Sequence, residues 1–135
     1  MTSDFDLSLK PYIKAALGKK AIGLIALDVR NLTSVADAFI ICSGRSNRQV
    51  TAIGEHIKQN LKEQGIKPLS VEGMKEGRWM LLDYGHIIIH IFYEPVRSFY
   101  DLEGLWIDAR KVQTDFYSKS IRNTKSKRAE TLNEQ

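Results

Sequence analysis

The sequence predicts a single α/β domain in which a mixed β-sheet of about five strands is flanked by helices. Its 135 residues, 43% of them hydrophobic, suffice for one core and leave no room for two. Stretches with helical spacing of apolar residues alternate with short β-branched runs. The order is helix, two strands, helix, three strands and a short helix, which indicates helices packed on one sheet.

The first helix is predicted over residues 9–17, where apolar side chains recur at helical spacing. Ser8 is its expected N-cap, and Gly18 is expected to end it. Two apolar runs follow, at about residues 21–29 and 38–43, and their continuity favours interior strands.

The second helix is predicted to begin at Ser46, because Gln49 three residues later completes a capping-box pattern. Gly65 is expected to end this segment. Its apolar stripe consists of Val50, Ile53, Ile57 and Leu61.

The next part of the chain predicts a short strand followed by a hairpin. The three strands are "LSVEG" at residues 69–73, "RWMLLD" at 78–83 and "HIIIHIFY" at 86–93. Tyr84 and Gly85 are expected to form a two-residue turn between the last two strands. The pairs that this register predicts are Asp83 with His86, Leu81 with Ile88, and Trp79 with His90.

Alternation along the hairpin separates two faces. The purely apolar face, which predicts a core, consists of Met80, Leu82, Ile87, Ile89 and Ile91. The mixed face consists of Trp79, Leu81, Asp83, Ile88, His90 and Phe92. The mixed face suits either a second core or a surface that meets a partner. Beyond Pro95, residues 96–106 predict one or two turns of helix with Phe99, Leu102, Leu105 and Trp106 on one side.

Charge divides the chain into a balanced body and a basic tail. Residues 1–109 carry 13 basic and 13 acidic side chains, whereas residues 110–135 carry seven basic and three acidic ones. We therefore expect a folded domain over residues 1–118 and a flexible tail over 119–135. Two readings of the tail stay open: nonspecific contact with nucleic-acid phosphate, and a solvated C-terminus.

The single cysteine and the apolar segments of the chain predict the cellular compartment. Cys42 lies in the run "FIICSG" and has no second cysteine to pair with, so we expect a small buried hydrophobe in a reducing compartment. The start of the chain lacks signal-peptide character, and no apolar run reaches membrane-spanning length. The sequence predicts a cytoplasmic protein without membrane attachment.

The residues that suggest catalysis or metal binding lack the spacing or the motif that such sites require. On one strand His86 and His90 would lie about 13 Å apart, too far to share a metal ion. The turn "SGRS" at residues 43–46 precedes a helix but lacks a phosphate-loop motif. The pair Asp4 and Asp6 lies before the first helix, away from any site where it could hold magnesium. We expect no enzymatic activity, no cofactor and no metal.

Three stretches carry a recognisable pattern: "LDVRNLTSVADAFIICSGRSNRQVTAI", "EGMKEGRWMLLDYGHIIIHIF" and "RSFYDLEGLW". Together, over about residues 27–109, they resemble the ribosomal silencing factor family, RsfS, also called Iojap-like proteins. The resemblance implies a nucleotidyltransferase-like α/β fold without the catalytic carboxylates. The sequence departs from the usual family pattern at Ala38, at Gly104 and at His86, where an acidic residue is common, and His86 is therefore not among the expected contacts.

Members of the family bind the large ribosomal subunit through large-subunit protein fourteen and sterically block its association with the small subunit. The resemblance thus implies a repressor of translation under nutrient limitation. Two alternatives stay open: a degenerate nucleotide-binding module with a ligand pocket near Gly44, and a large-subunit assembly factor whose basic tail contacts ribosomal RNA. The residues expected to bind the partner are Trp79, Leu81, Asp83, Tyr84, His90, Phe92, Tyr100, Asp101 and Leu102. Apolar groups on the mixed face also suggest a symmetric homodimer.

Overall fold

The computed structural model describes residues 3–115 and residue 117. In that part of the chain the helices are α1 (Asp4–Ser8), α2 (Lys10–Leu17), α3 (Asn47–Glu63), α4 (Glu94–Tyr100) and α5 (Leu102–Leu105). The strands are β1 (Ile22–Asp28), β2 (Ala38–Gly44), β3 (Ser70–Glu72), β4 (Trp79–Asp83), β5 (Ile87–Tyr93) and β6 (Arg110–Lys111). The α/β prediction is confirmed, and β6 raises the expected five strands to six.

The sheet has the order β3-β4-β5-β2-β1-β6 and is mixed. Its centre is the parallel pair of β2 and β5, in register from Ala38 opposite Ile87 to Gly44 opposite Tyr93. The other pairs are antiparallel. Every residue of β2 is buried, as expected of a strand covered on both faces.

Each face of the sheet has its own apolar core. The helix core lies between the sheet and the pair α2 and α3, and includes Ile13, Ile53, Met80, Leu82, Ile89 and Ile91. The second core lies on the opposite face beneath α4, and includes Leu27, Phe39, Ile41, Ile88, Phe92 and Val96. The predicted division of the hairpin into two faces is confirmed.

The start of the chain differs from the prediction. Ser3, not Ser8, caps the first helix by accepting a hydrogen bond from the Asp6 amide. Ser8 is the last residue of α1, and its hydroxyl donates back to the Phe5 carbonyl. The expectation was wrong because Ser8 ends a short helix that apolar spacing does not reveal, and the acidic first turn of that helix suits an N-terminus.

The cap of α3 is partly as predicted. Ser46 Oγ accepts a hydrogen bond from the Gln49 amide at 3.0 Å. The Gln49 side chain accepts instead from the amide of Arg45, at 2.6 Å, and donates to the carbonyl of Lys20. Gln49 therefore joins the start of α3 to the residues before β1 rather than closing a capping box.

The hairpin turn is displaced from the prediction. Trp79 pairs with Phe92, Leu81 with His90, and Asp83 with Ile88. Gly85 and His86 therefore form the turn, and Gly85 has a φ of 90°. A glycine with positive φ at the first turn position is typical of a tight hairpin turn. The partners shift by two residues, so the faces of both strands stay as predicted.

The last helical segment is broken at Asp101, which has a left-handed φ of 47°. The break separates α4 from α5 and changes which side chains face the sheet. Leu102 and Trp106 pack against the second core, whereas Phe99 and Leu105 are 82% and 76% exposed. The expected single apolar side of four residues is therefore wrong.

The two ends of the described chain meet at an ion-pair network. Arg110 of β6 contacts Asp6 at 2.6 Å and Asp28 at 3.2 Å, and Arg30 contacts Asp28 at 2.8 Å. Hydrogen bonds from Arg30 hold the pKa of Asp28 at about 2, against the effect of burial. Tyr117 is buried in the helix core. The predicted domain boundary between residues 118 and 119 lies outside the described residues.

Two glycines with the same backbone conformation give a test of this packing. Gly65 and Gly73 both have a φ of 79°, but a Cβ on Gly65 would meet open space, whereas one on Gly73 would overlap the carbonyl oxygen of Trp79. Gly65→Ala should cost about 1 kcal/mol of unfolding free energy from the left-handed conformation alone. Gly73→Ala should cost about 3 kcal/mol or more, because backbone must also move. Denaturant titration of both variants measures the difference, and equal losses would contradict this packing.

Candidate protein-binding surface

Trp79 begins β4, and the loop before it is held against α3. Gly77 lies so close to the carbonyl of Asn47 that a side chain there would overlap it. Thr51 Oγ1 lies within hydrogen-bond distance of two carbonyls, that of Asn47 at 3.2 Å and that of Met74 at 3.3 Å. The backbone at residues 73–78 therefore has little freedom, and the position of Trp79 on the sheet is set by α3 as well as by its own strand.

The Trp79 side chain lies on the second-core face and is half-buried. Its Nε1 donates to Nδ1 of His90 at 3.1 Å. Its ring centroid is 4.7 Å from that of Phe92 and 5.0 Å from that of Tyr100. Trp79 thus joins the buried hairpin to the end of α4.

A row of aromatic rings continues on both sides of Trp79. On one side His90 contacts Phe39 at 5.5 Å, and Phe39 contacts Trp106 at 5.1 Å, both edge to face. On the other side Tyr100 contacts Phe99 at 5.2 Å. Edge-to-face contacts are favourable geometries for such rings. The row runs from the buried sheet to the exposed end of α4.

His90 is neutral at physiological pH. It is 6% exposed, and burial lowers its pKa to about 4. Because Nδ1 accepts the indole hydrogen, the ring proton resides on Nε2. Protonation of Nδ1 would remove the acceptor and break the hydrogen bond to Trp79.

Arg97 attaches α4 to the sheet and to α5. It donates to Ser43 Oγ at 2.9 Å and to Glu103 at 3.1 Å. Beside it opens a cleft of about 330 Å³ that is also lined by Glu94 and Asp101. Three carboxylates and one guanidinium therefore surround this cleft, which gives it a net negative charge. Sequence reasoning missed Arg97, since no local pattern shows that it reaches Ser43.

An apolar cleft of about 330 Å³ lies next to the exposed end of α4. Its lining consists of Arg78, Tyr93, Pro95, Val96, Phe99 and Tyr100. The aromatic surface is defined here as Trp79, Leu81, Phe99, Tyr100 and Leu102. Exposed aromatic and apolar groups of this kind mark surfaces that bind other proteins.

Most of the predicted site residues fall on or beside this surface. Tyr100 and Asp101 are exposed, and Trp79, Leu81, Asp83 and Leu102 are half-buried. The Asp83 carboxylate accepts from the Gly85 amide at 2.7 Å and so stabilises the hairpin turn. Phe99 was missed as a site residue although it adjoins Tyr100 in the sequence.

Three of the residues predicted to contact a partner are buried in this structure, so their side chains do not form part of its surface. Phe92 is 0% and His90 6% exposed, because both point into the second core. Tyr84 is 7% exposed and lies in the helix core, where its ring packs edge to face on Tyr12 at 5.5 Å. The predicted register put Tyr84 in the turn. In the structure the turn begins after Tyr84, so Tyr84 continues the alternation of β4 and lies on the face opposite to Trp79.

Over the described residues, no three histidine, cysteine or acidic side chains are grouped to hold a metal ion. Cys42 is fully buried, and burial raises the pKa of its thiol to about 12. The prediction of a buried Cys42 is confirmed. No helix in this part of the chain is long and apolar enough to cross a membrane.

Fold and surface together define a single-domain α/β protein with a mixed sheet and one aromatic surface. The family model described as ribosomal silencing factor during starvation matches residues 2–135, and the chain belongs to that family, RsfS. The ribosomal silencing factor RsfS of Bacillus subtilis is 43% identical over 108 residues, covering 80% of this chain and 92% of that one. The chloroplastic protein Iojap of Arabidopsis thaliana is 33% identical over 107 residues, covering 79% of this chain and 44% of that one.

A solved structure supports the fold. The crystal structure of a protein from Chromobacterium violaceum matches with a TM-score of 0.72 at 36% identity, covering 78% of this chain and 87% of that one. The resemblance to the RsfS and Iojap-like family is confirmed.

The buried state of His90 predicts a loss of stability in mild acid. The pKa is about 4 in the folded protein and 6.5 when unperturbed, so the unfolded chain binds the proton first. The stabilisation is complete above pH 6.5 and declines as the pH falls to about 4. The total loss should be on the order of 3 kcal/mol, from 1.36 kcal/mol per pKa unit. Urea titrations between pH 7 and pH 4 measure it.

His90→Phe is the control, because it keeps an aromatic ring but has no proton to take up. The slope of stability against pH should be smaller in this variant. His56 retains part of the slope, since burial also lowers its pKa. Asp28 titrates below this window, its pKa being about 2. Identical slopes in wild type and His90→Phe would show that His90 is not the responsible group.

Proposed function

We propose that this protein binds the large ribosomal subunit through the aromatic surface and thereby prevents the small subunit from joining. The observation that carries the proposal is the exposed pair Phe99 and Tyr100, 82% and 53% exposed, of which Tyr100 packs against half-buried Trp79. Family membership supports it, because relatives are named ribosomal silencing factors.

The aromatic surface has the chemistry of an interface centre. Tryptophan and tyrosine side chains contribute large contact areas at low entropic cost and are enriched among residues that dominate binding energy. Tyr100 and Phe99 also line the apolar cleft, whose volume of about 330 Å³ could receive an apolar side chain of the partner. The half-buried Trp79 ring packs against Tyr100 on the side of the core. The surface therefore combines an exposed aromatic side chain with a packed ring that holds it in place.

Charge beside the aromatic surface favours a basic partner. Glu94, Asp101 and Glu103 surround Arg97 at the neighbouring cleft and leave it net negative. The family resemblance implies large-subunit protein fourteen as the partner, and a basic ribosomal protein would complement these carboxylates. We propose that the aromatic surface gives most of the affinity and that the acidic cleft orients the approach.

The proposed mechanism is steric exclusion. A protein seated on the joining face of the large subunit occupies space that the small subunit needs. Such a mechanism requires a surface but no cofactor and no catalytic group. We propose that its consequence is reduced translation under nutrient limitation, carried out in the cytoplasm where subunits join.

Tyr100→Ala tests the aromatic surface directly. More than half of this side chain is exposed, so its removal should cost about 1 kcal/mol of stability or less. Binding to purified large subunits should weaken tenfold or more, which corresponds to about 1.4 kcal/mol or more. Co-sedimentation over a concentration series measures the affinity.

Leu7→Ala is the matched control, because Leu7 is 49% exposed but lies on α1, beside the helix core. Its binding should equal that of the wild type. If Tyr100→Ala binds as tightly as Leu7→Ala, the aromatic surface is not the ribosome contact, although family membership would stand.

Asp101→Asn tests the proposed role of charge. Asp101 has a φ of 47°, and asparagine tolerates this conformation, so the variant changes charge and little else. Binding should weaken by about threefold to fivefold at low salt, and the difference should shrink as salt screens the interaction. Asp4→Asn removes another exposed carboxylate, on α1, and should have no effect. The same loss in both variants would mean that only overall charge matters.

A further inference from the structure

We propose that His90 is a positioning residue for Trp79: its Nδ1 accepts the indole hydrogen and holds the ring in the orientation on which Tyr100 packs. This inference rests on the proposed function, because it assigns His90 a role in binding although His90 itself is buried. It replaces the direct contact expected from the sequence with an indirect one.

The His90 ring is itself held in place. It lies in the middle of β5, where its backbone pairs with Ile41 on one side and Leu81 on the other. Its ring meets Phe39 at 5.5 Å with an interplanar angle of 77°. Packing by Trp106 on Phe39 supports that contact from the far side. Because the ring is fixed by these contacts, Nδ1 of His90 can accept a hydrogen bond from one direction only.

A buried polar residue at this place needs a reason. Apart from tyrosines, His90 and Ser43 are the buried polar side chains among the described residues, and the other buried positions of the second core are apolar. An apolar side chain at position 90 would fill the space without a desolvation cost. It would also leave the indole nitrogen of Trp79 without its acceptor, and an unpaired polar hydrogen in a half-buried site is costly.

Orientation of Trp79 matters for the exposed surface. Its ring contacts Phe92 on the buried side and Tyr100 on the exposed side, at 4.7 and 5.0 Å. If the hydrogen bond to His90 were lost, the indole would turn to reach water and the base beneath Tyr100 would change. Binding would then have to restore the ring orientation, which lowers the affinity.

Two variants of the same shape isolate the acceptor. In His90→Asn the side-chain oxygen occupies the place of Nδ1 and can accept the indole hydrogen, whereas His90→Leu puts a methyl group there. His90→Asn should bind large subunits within about threefold of the wild type, and His90→Leu about tenfold more weakly. A purely structural role predicts the reverse order, because leucine is the better buried residue and should give the more stable domain.

The indole N–H resonance of Trp79 reports the hydrogen bond without the ribosome. The chain has two tryptophans, and the resonance that disappears in Trp79→Phe identifies the one in question. It should lie downfield and exchange slowly in the wild type and in His90→Asn, but not in His90→Leu.

The outcomes separate the two proposals. If the wild type does not co-sediment with large subunits, the proposed function fails and this inference fails with it. If the wild type binds and His90→Leu binds as tightly as His90→Asn, the positioning role alone is overturned. An indole resonance unchanged in His90→Leu would also overturn it, because the hydrogen bond would then not exist in solution.

Discussion

The parallel pairing of β2 with β5 is the constraint on which the other elements depend. Their register runs without interruption from Ala38 opposite Ile87 to Gly44 opposite Tyr93, and almost every side chain on both strands is buried. Parallel neighbours cannot be joined by a tight turn, so the chain between them must cross over. That crossover contains α3, β3 and β4, and it therefore supplies both the cover of the helix core and the strand that carries Trp79.

Polar groups inside the fold connect this centre to the aromatic surface. Ser43 of β2 accepts a hydrogen bond from Arg97, and His90 of β5 accepts one from Trp79. Both acceptors lie on the central pair, and the donors belong to β4 and α4, the elements that carry Trp79 and Tyr100. Since a buried polar group is costly unless it is paired, each bond favours one placement of its donor. The two buried polar side chains, Ser43 and His90, thus position the elements that form the surface.

Patterns with a short range predicted much of this fold. Helical spacing identified α2 and α3, apolar runs identified β1 and β2, and period-two alternation assigned both faces of the hairpin. The predictions were wrong where the conformation of a single residue decides between alternative turns or helix ends. Whether Tyr84 or His86 shares the turn with Gly85 depends on the left-handed backbone of the glycine, and the pattern of apolar residues is the same for both. Asp101 broke the last helix for a similar reason, since its left-handed conformation has no clear signature in the residue type.

The sequence by itself determined the class of fold, the family, and the segments that carry the surface, because spacing and residue type are local and repeat over many positions. Tertiary structure alone decided which aromatic groups face outward. Phe92, His90 and Trp79 lie on one face of one hairpin, yet the first two are covered and Trp79 remains half-buried. Burial depends on what packs above each residue, and α4 is placed there by Arg97 reaching Ser43, 54 positions away in the chain. A contact between residues so distant in sequence produces no periodic pattern, so it cannot be predicted from one amino-acid sequence.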